Sequence, residues 1–194
     1  MRVILASKSP RRIELLKQIG IKNFDIIPAD TEENIDYSLG HDQAVLALAR
    51  LKADHVAASA NVDDIIIAAD TLVLINGEFL GKPKDRDNAY EMIKALSGNV
   101  HTVLTGVCVI HGGQVQTHCE QTDVRFKQIP EHEILAYLNN SEYADKAGGY
   151  AIQGLGALFV ESINGDYYNV IGLPVCALGK MLAKAGLNML ENIN

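Results

Sequence analysis

Apolar runs and amphipathic stretches alternate along the first third of the chain. Residues 2–6 are predicted to form a buried strand, and residues 10–19 a helix with apolar side chains at helical spacing that ends at Gly20. A second strand is predicted over residues 24–28. A second amphipathic helix is predicted over residues 42–59, with Val45, Leu48, Ala49 and Leu51 as its apolar positions. Strands that alternate with helices are typical of an α/β sheet.

The rest of the chain is richer in strands. Residues 65–70 are predicted as a buried strand ending at Asp70, and residues 71–80 continue as a hairpin that turns at Asn76 and Gly77. The further predicted elements are a helix that ends at Leu96 and is capped by Asp85 or Asp87, a β-ribbon of residues 100–110 and 114–126, a helix from Pro130 to Leu138, a glycine-rich loop of residues 143–157, a strand over residues 158–163 and a helix from Pro174 to about Ala185. We therefore expect one α/β domain over residues 1–194, with a mixed sheet flanked by helices.

Composition narrows the class of protein. The 194 residues are 48% hydrophobic and 21% charged, as in a globular chain of one domain or one two-lobed domain. Cys108, Cys119 and Cys176 are too far apart for a disulfide framework or a zinc site, so we expect reduced and buried side chains. The sequence has neither a secretory leader nor an apolar run of about 18 residues, which favours a cytoplasmic protein without a membrane partner.

The charge is unevenly distributed. The net charge is −7, but residues 1–22 carry six Lys and Arg against the single acid Glu14, a local charge of +5. Binding of a nucleic-acid polymer relies on a basic surface and often on aromatic stacking, so the net charge and the absence of Trp argue against it. A compact basic segment on an acidic chain favours a small polyanion as the partner.

Four side chains between the first predicted strand and the start of the first predicted helix suit a phosphate group. Ser7 and Ser9 supply hydroxyl groups, and Arg11 and Arg12 supply guanidinium forks at the start of the predicted helix. Two cations at a helix N-terminus oppose the helix dipole, which indicates that an anion comes to lie among them. A helix capped by Ser9, with solvated arginines, is the alternative that the sequence leaves open.

Three acids are candidates for metal binding or proton transfer. Asp70 follows the buried strand, where it could hold a divalent cation or accept a proton from water, although it could also serve as a turn residue. Glu32 and Glu33 lie in a polar loop, where two acids are commonly just solvated. Together with Asp70 they could complete a magnesium site that also uses substrate phosphates.

The remaining candidates are two lysines and one glutamine. Lys52, near the apolar face of its helix, and Lys82 could act as point charges on a triphosphate or simply be surface residues. Gln153 has both a donor and an acceptor, as the edge of a pyrimidine base requires, but its loop could also be only a tight connection. The histidines show no spacing typical of metal ligands and are predicted to be structural or solvated: His41, His55, His101, His111, His118 and His132.

Seven motifs, in order along nearly the whole chain, resemble those of the Maf family. They are LASKSPRR at 5–12, EEN at 32–34, AADT at 68–71, GKP at 81–83, TDVRF at 122–126, DKAGGYAIQG at 145–154 and VIGLP at 170–174. The resemblance implies a nucleoside triphosphate pyrophosphatase that cleaves between the α- and β-phosphates. It also implies a two-lobed mixed sheet with a central cleft, similar to the fold of the inosine triphosphate pyrophosphatases.

Three motif positions resemble the branch of the family that acts on dTTP and UTP. These are the pairs Arg11-Arg12 and Asp70-Thr71 and the stretch Ile152-Gln153-Gly154. The branch that acts on 7-methyl-GTP tends to carry Trp-Arg, Asp-Gln and Ser-Glu-Gly there. Since an amide matches the mixed edge of thymine or uracil better than a carboxylate does, the sequence favours dTTP and UTP. A 7-methyl-GTP pyrophosphatase and a non-catalytic nucleotide-binding regulator of cell division are the alternatives.

The resemblance also implies roles for individual residues and a homodimer. Asp70 would accept a proton from the attacking water. Glu33, alone or with Glu32, would hold Mg²⁺ or Mn²⁺ together with Asp70. Thr71 and Gln153 would select the base. The phosphates would be met by Ser7, Ser9, Arg11, Arg12, Lys52 and Lys82. The sequence does not decide whether Asp70 is mainly a base or mainly a metal ligand.

Overall fold

The computed structural model describes residues 1–31 and 40–191. Glu32 and Glu33 therefore lie outside the described residues. The strands are β1 (Val3–Leu5), β2 (Asp25–Ile26), β3 (Ile65–Ile75), β4 (Glu78–Leu80), β5 (Val100–His111), β6 (Gln114–Phe126) and β7 (Val160–Asn164). The helices are α1 (Pro10–Gln18), α2 (His41–Ala57), α3 (Arg86–Leu96), α4 (Glu131–Tyr137), α5 (Tyr167–Ile171) and α6 (Val175–Lys184). Short 3₁₀ helices span Ala147–Gly149 and Leu155–Phe159.

The strands form one mixed sheet. Its order is β2-β1-β3-β5-β6-β7, and β4 pairs with β3 outside this path. Strand β1 is parallel to both β2 and β3, whereas β3 pairs antiparallel with β4, and β6 with β7. The prediction of a mixed sheet flanked by helices is confirmed.

The chain groups into two compact units. Unit 1 comprises the described residues of Met1–Asp70, Thr105–Glu120 and Gly172–Asn194. Unit 2 comprises Thr71–Leu104 and Gln121–Ile171. The strands β3, β5 and β6 each contribute residues to both units.

The core of unit 1 is built where helix α2 packs on the sheet. Small side chains such as Ala49 and Ala53 face residues of β1 and β3, which brings the helix close to the strands. Gly106 of β5 extends this close approach, because a Cβ there would lie 2.5 Å from the Val45 carbonyl oxygen. Leu51 was expected on the apolar face but is exposed, since it lies about 120° around the helix axis from Val45.

Most of the predicted elements are confirmed, and two need correction. The predicted hairpin turns at Asn76 and Gly77, both of which have positive φ. Strand β3 does not end at Asp70 but continues to Ile75, where its antiparallel pairing with β4 reaches Glu78. Helix α5, of five residues, was not predicted, since so short an element leaves no apolar period in the sequence.

The helix boundaries follow local capping chemistry. The Asp85 side chain accepts a hydrogen bond from the Asn88 N–H at 2.7 Å, so Asp85 rather than Asp87 caps α3. Ser9 occupies the N-cap position of α1, but within the described residues its side chain makes no capping hydrogen bond. The expected cap by the Ser9 hydroxyl is therefore wrong, and the Ser7 hydroxyl accepts the Ser9 N–H instead, at 3.2 Å.

The expectations about membrane spans and about cysteine burial have different outcomes. In the part of the chain that the structure describes, the helices are all too short or too polar to cross a membrane. Cys108 is buried as expected and Cys119 is partly buried, but the expectation of burial is wrong for Cys176. Helix α6 packs through positions such as Leu178 and Met181, and Cys176 lies off that face.

Candidate active site

The turn between β1 and α1 holds Arg12 in a fixed position. Its Nε donates a hydrogen bond to the Gly172 carbonyl at 2.8 Å, and its Nη1 donates to the Ser7 hydroxyl at 3.2 Å. The Arg12 side chain is buried, and a buried guanidinium requires such partners. The alternative of a solvated arginine is therefore excluded for Arg12, whereas Arg11 is half-buried.

A second polar group in unit 1 is the ion pair between Lys52 and Asp70. The Lys52 Nζ contacts Asp70 Oδ1, and the two side chains are only 12% and 11% exposed. Lys52 lies on the face of α2 that packs toward the sheet, which brings its ammonium to strand β3. An ion pair so little exposed to water is screened much less than a surface pair.

The parallel register brings these two groups to one end of β1. Leu5 pairs with Ile67, and the Ala6 N–H donates to the Ile67 carbonyl at 2.8 Å. Ser7 follows directly after Ala6, and Asp70 lies three residues beyond Ile67. The carboxyl end of β1 therefore carries both the Ser7–Arg12 turn and the Lys52–Asp70 pair, as expected of a site in an α/β sheet.

Three of the predicted site residues belong to unit 2. Thr71 is half-buried on β3, while Lys82 and Gln153 are exposed on loops. The Gly148 N–H donates to the Gly81 carbonyl at 3.0 Å, which ties the GKP loop to the glycine-rich loop. Two of the motifs singled out in the sequence thus meet within unit 2.

A buried aromatic cluster lies beneath the glycine-rich loop. His101 Nε2 and the Tyr150 hydroxyl are 2.8 Å apart, and Phe126 contacts both rings edge-on. Burial lowers the pKa of His101 to about 4, which keeps the imidazole neutral near pH 7. The prediction of a structural histidine is confirmed at this position.

Glu142, which was not among the predicted site residues, binds the backbone of the glycine-rich loop. Glu142 accepts hydrogen bonds from the backbone N–H groups of Leu155 and Gly156, at 2.9 and 3.0 Å. No periodicity links residue 142 to residues 155 and 156, so the pattern of side chains gives no sign of this contact. The glycine at position 154 is the one local hint, because it allows a close approach.

A divalent cation would have to be held by carboxylates and substrate phosphates. Of the two predicted ligands, Asp70 is described and Glu33 is not. Among the described residues, no group of three or more His, Cys, Asp or Glu could hold a metal ion. Magnesium needs only one or two carboxylates beside the phosphates, and the two Asp70 oxygens can serve Lys52 and a cation together, so the residue fits the ion.

Comparison with known proteins finds relatives over nearly the whole chain. The sequence profile of the Maf-like protein family matches residues 2–185. A curated relative from Caldicellulosiruptor bescii, named dTTP/UTP pyrophosphatase, is 47% identical over 98% of both chains. Another of that name, from Clostridium perfringens, is 46% identical over 98% of this chain and 100% of its own.

A solved structure supports the fold alone. The HAM1 protein from Coxiella burnetii matches with a TM-score of 0.52 and 11% sequence identity, over 95% of this chain and 99% of that chain. The chain thus has an α/β fold similar to that of this HAM1 protein. The family match over residues 2–185 goes further: the chain belongs to the Maf family.

Proposed function

We propose that this chain is a nucleoside triphosphate pyrophosphatase that hydrolyses dTTP and UTP. Water attacks the α-phosphorus, and the products are the nucleoside monophosphate and pyrophosphate. The observation that carries the proposal is the convergence of the Ser7–Arg12 turn and the Lys52–Asp70 pair at the carboxyl end of β1. The two curated relatives, at 47% and 46% identity over nearly the whole chain, support the choice of substrates.

The cations of this set neutralise the polyphosphate. Arg12 is oriented by the Gly172 carbonyl and the Ser7 hydroxyl, so its guanidinium fork does not have to be ordered when substrate binds. Arg11 and the Ser9 hydroxyl lie at the start of the same helix, whose backbone N–H groups also favour anions. Lys82 adds a point charge for the leaving pyrophosphate.

Asp70 is the proton acceptor for the attacking water. Lys52 holds one carboxylate oxygen and so fixes the orientation of the group. A positioned carboxylate that accepts a proton in the transition state supplies a rate factor on the order of 10²–10⁴. The geometry required is a water within hydrogen-bond reach of both the carboxylate and the α-phosphorus.

We also propose that the enzyme uses Mg²⁺ or Mn²⁺. Asp70 and Glu33 would hold the ion against the phosphates. When bound, such an ion neutralises phosphate charge and orients the phosphate groups for in-line displacement. Lys52 keeps its contact with Asp70 in this arrangement, because a carboxylate can accept from several directions.

Base selection is assigned to Thr71 and Gln153. The exposed Gln153 amide offers a donor and an acceptor to the mixed edge of thymine or uracil. Changing this amide to a carboxylate, as in Gln153→Glu, should shift preference among bases more than it lowers the best rate.

The assembly and location complete the proposal. The chain is proposed to act as one domain over residues 1–194, in a cytoplasmic homodimer that binds neither nucleic-acid polymers nor membranes. Light scattering of the purified protein tests the dimer, since a mass of one chain, 21.1 kDa, would contradict it.

A panel of nucleoside triphosphates tests the function. The enzyme is incubated with Mg²⁺ and each of dTTP, UTP, dCTP, dATP, GTP and 7-methyl-GTP, and pyrophosphate and orthophosphate are measured separately. We expect pyrophosphate from dTTP and UTP. Turnover of 7-methyl-GTP alone, or binding without turnover of any triphosphate, would contradict the proposal.

A further inference from the structure

We propose that Glu142 is a positioning residue that determines base selectivity by anchoring the backbone beside Gln153. The inference rests on the proposed function, since it assumes that Gln153 meets the base. It adds to that function a residue that no sequence motif contains and that touches neither phosphate nor base.

The Glu142 carboxylate binds the backbone that follows Gln153. Its Oε2 accepts the Leu155 N–H at 2.9 Å and its Oε1 accepts the Gly156 N–H at 3.0 Å. Leu155 and Gly156 open the 3₁₀ helix Leu155–Phe159, whose first N–H groups have no partner within the helix. Glu142 therefore acts as a cap from 14 residues away, through charge-assisted hydrogen bonds.

Glycine at position 154 allows the Glu142 carboxylate to approach the backbone this closely. A Cβ at Gly154 would overlap the Glu142 carboxylate. The φ of Gly154 is −121°, which any residue can adopt, so close approach rather than backbone conformation requires the glycine. The glycine that follows Gln153 is thus explained by the carboxylate beside it.

Glu142 is itself fixed on several sides. Its N–H donates to Asn140 Oδ1 at 2.7 Å, and its carbonyl accepts from Lys146 Nζ at 2.6 Å. The Tyr137 hydroxyl lies 3.2 Å from Glu142 Oε1. Burial and the neighbouring Glu142 charge raise the pKa of Tyr137, so the hydroxyl keeps its proton and remains a donor.

The backbone that Glu142 binds lies next to Gln153, the residue proposed to meet the base. On one side of Gln153, Ala151 and Ile152 are buried; on the other side, Leu155 and Gly156 are bound by Glu142. Gln153 is thus an exposed side chain on a backbone held at both ends. A donor and acceptor fixed in this way select a base by geometry, because a misplaced amide cannot match its edge.

The test compares Glu142→Gln with wild-type enzyme by kinetics and by amide hydrogen exchange. The glutamine keeps the shape but loses the charge and one of the two acceptors. We expect the ratio of kcat/KM for dTTP over dCTP to fall about tenfold, mainly through a higher KM for dTTP. We expect exchange at Leu155 and Gly156 to become about tenfold to a hundredfold faster, as for loss of hydrogen bonds to a charged group.

Two further variants control for general damage. Glu133→Gln breaks an ion pair with Lys127 (2.7 Å) in the same unit and should leave both the ratio and the loop exchange unchanged. Gly154→Ala should reproduce Glu142→Gln, because the added methyl group displaces the carboxylate. The double variant should then be no worse than the more impaired single variant, because both changes break the same contact.

The outcomes separate this inference from the proposed function. Unchanged exchange at Leu155 and Gly156, or a parallel loss of kcat/KM for dTTP and dCTP in Glu142→Gln, overturns the inference while wild-type activity stands. Additive effects of Glu142→Gln and Gly154→Ala overturn it as well. Wild-type protein that hydrolyses no pyrimidine triphosphate overturns the proposed function instead.

Discussion

Lys52 and Asp70 form the ion pair on which the proposed chemistry depends. At the residue scale the sequence indicated both as candidates, because Lys52 lies near the apolar face of its helix and Asp70 follows a buried strand. Their direct contact could not be predicted, since it depends on how α2 packs against β3. The burial of Arg12 was likewise beyond prediction, because its partner, the Gly172 carbonyl, lies 160 residues along the chain.

Removing the Asp70 carboxylate should remove turnover. Asp70→Asn should lower kcat for dTTP by about 10²–10⁴-fold, the factor typical of losing a general base, with unchanged circular dichroism. The matched control is Asp54→Asn, which breaks an exposed ion pair with Arg50 (2.6 Å) on the same helix as Lys52. A near-normal rate in Asp70→Asn would remove this residue from the chemistry.

Removing the Lys52 ammonium should cost stability as well as rate. Lys52→Met takes the ion-pair partner from a carboxylate that is 11% exposed, so the free energy of unfolding should fall by about 3 kcal/mol. Urea denaturation measures this loss. The double variant with Asp70→Asn should regain part of it, because no uncompensated charge is left. Full additivity of the two losses would argue against a direct interaction.

His101 should make stability depend on pH in mildly acidic solution. Its pKa is about 4 in the folded protein, below the ordinary value of 6.5, so the unfolded chain binds its proton first as the pH falls. Stability present above about pH 6.5 should therefore decrease toward pH 4, by on the order of 3 kcal/mol in total.

The pH dependence can be assigned to this one imidazole. The His101 ring protons, followed by NMR, should titrate near pH 4, and His101→Gln should lose this part of the pH dependence while keeping a polar partner for Tyr150. A titration near pH 6.5 would show that the ring is not desolvated.

At the scale of elements, long periodic segments were predictable and short ones were not. The apolar period predicted α1 and α2, and the Asn76-Gly77 turn predicted the hairpin of β3 and β4. Helix α5 depends instead on distant contacts. The Asn169 side chain donates to the Val103 carbonyl and to the Thr122 hydroxyl, both at 2.9 Å. Such contacts leave no periodic signal in the local sequence.

The close packing of α2 can be tested at Gly106. In Gly106→Ala the new methyl group would meet the Val45 carbonyl, so α2 must move or the strand must bend. We expect a loss of about 1–3 kcal/mol in the free energy of unfolding, and a lower kcat because α2 carries Lys52. Gly179→Ala on α6 is the control, since nothing lies within 4 Å of its Cβ.

Gly106→Ala should lower the free energy of unfolding, whereas Gly179→Ala should not. Alanine favours a helix over glycine by about 1 kcal/mol, so Gly179→Ala should be neutral or stabilising. Equal destabilisation by both variants, measured by urea denaturation, would contradict the role of Gly106 in bringing α2 close to the sheet.

At the scale of the whole molecule, the candidate residues are divided between two units. Unit 1 carries Ser7, Arg12, Lys52 and Asp70, and unit 2 carries the loops of Lys82 and Gln153. Motif order along the sequence predicted the family and the mixed sheet, because those depend on features spread over nearly the whole chain. The resemblance implied two lobes but not which residues form each unit, because the strands β3, β5 and β6 pass through both.

The site of water attack tests the central claim most directly. Hydrolysis of dTTP in water enriched with ¹⁸O, followed by mass spectrometry of both products, reports which phosphorus the water attacked. Because Asp70 is proposed to activate water at the α-phosphorus, we predict one ¹⁸O atom in dTMP and unlabelled pyrophosphate. Label in pyrophosphate, or labelled orthophosphate as the first product, would contradict the account.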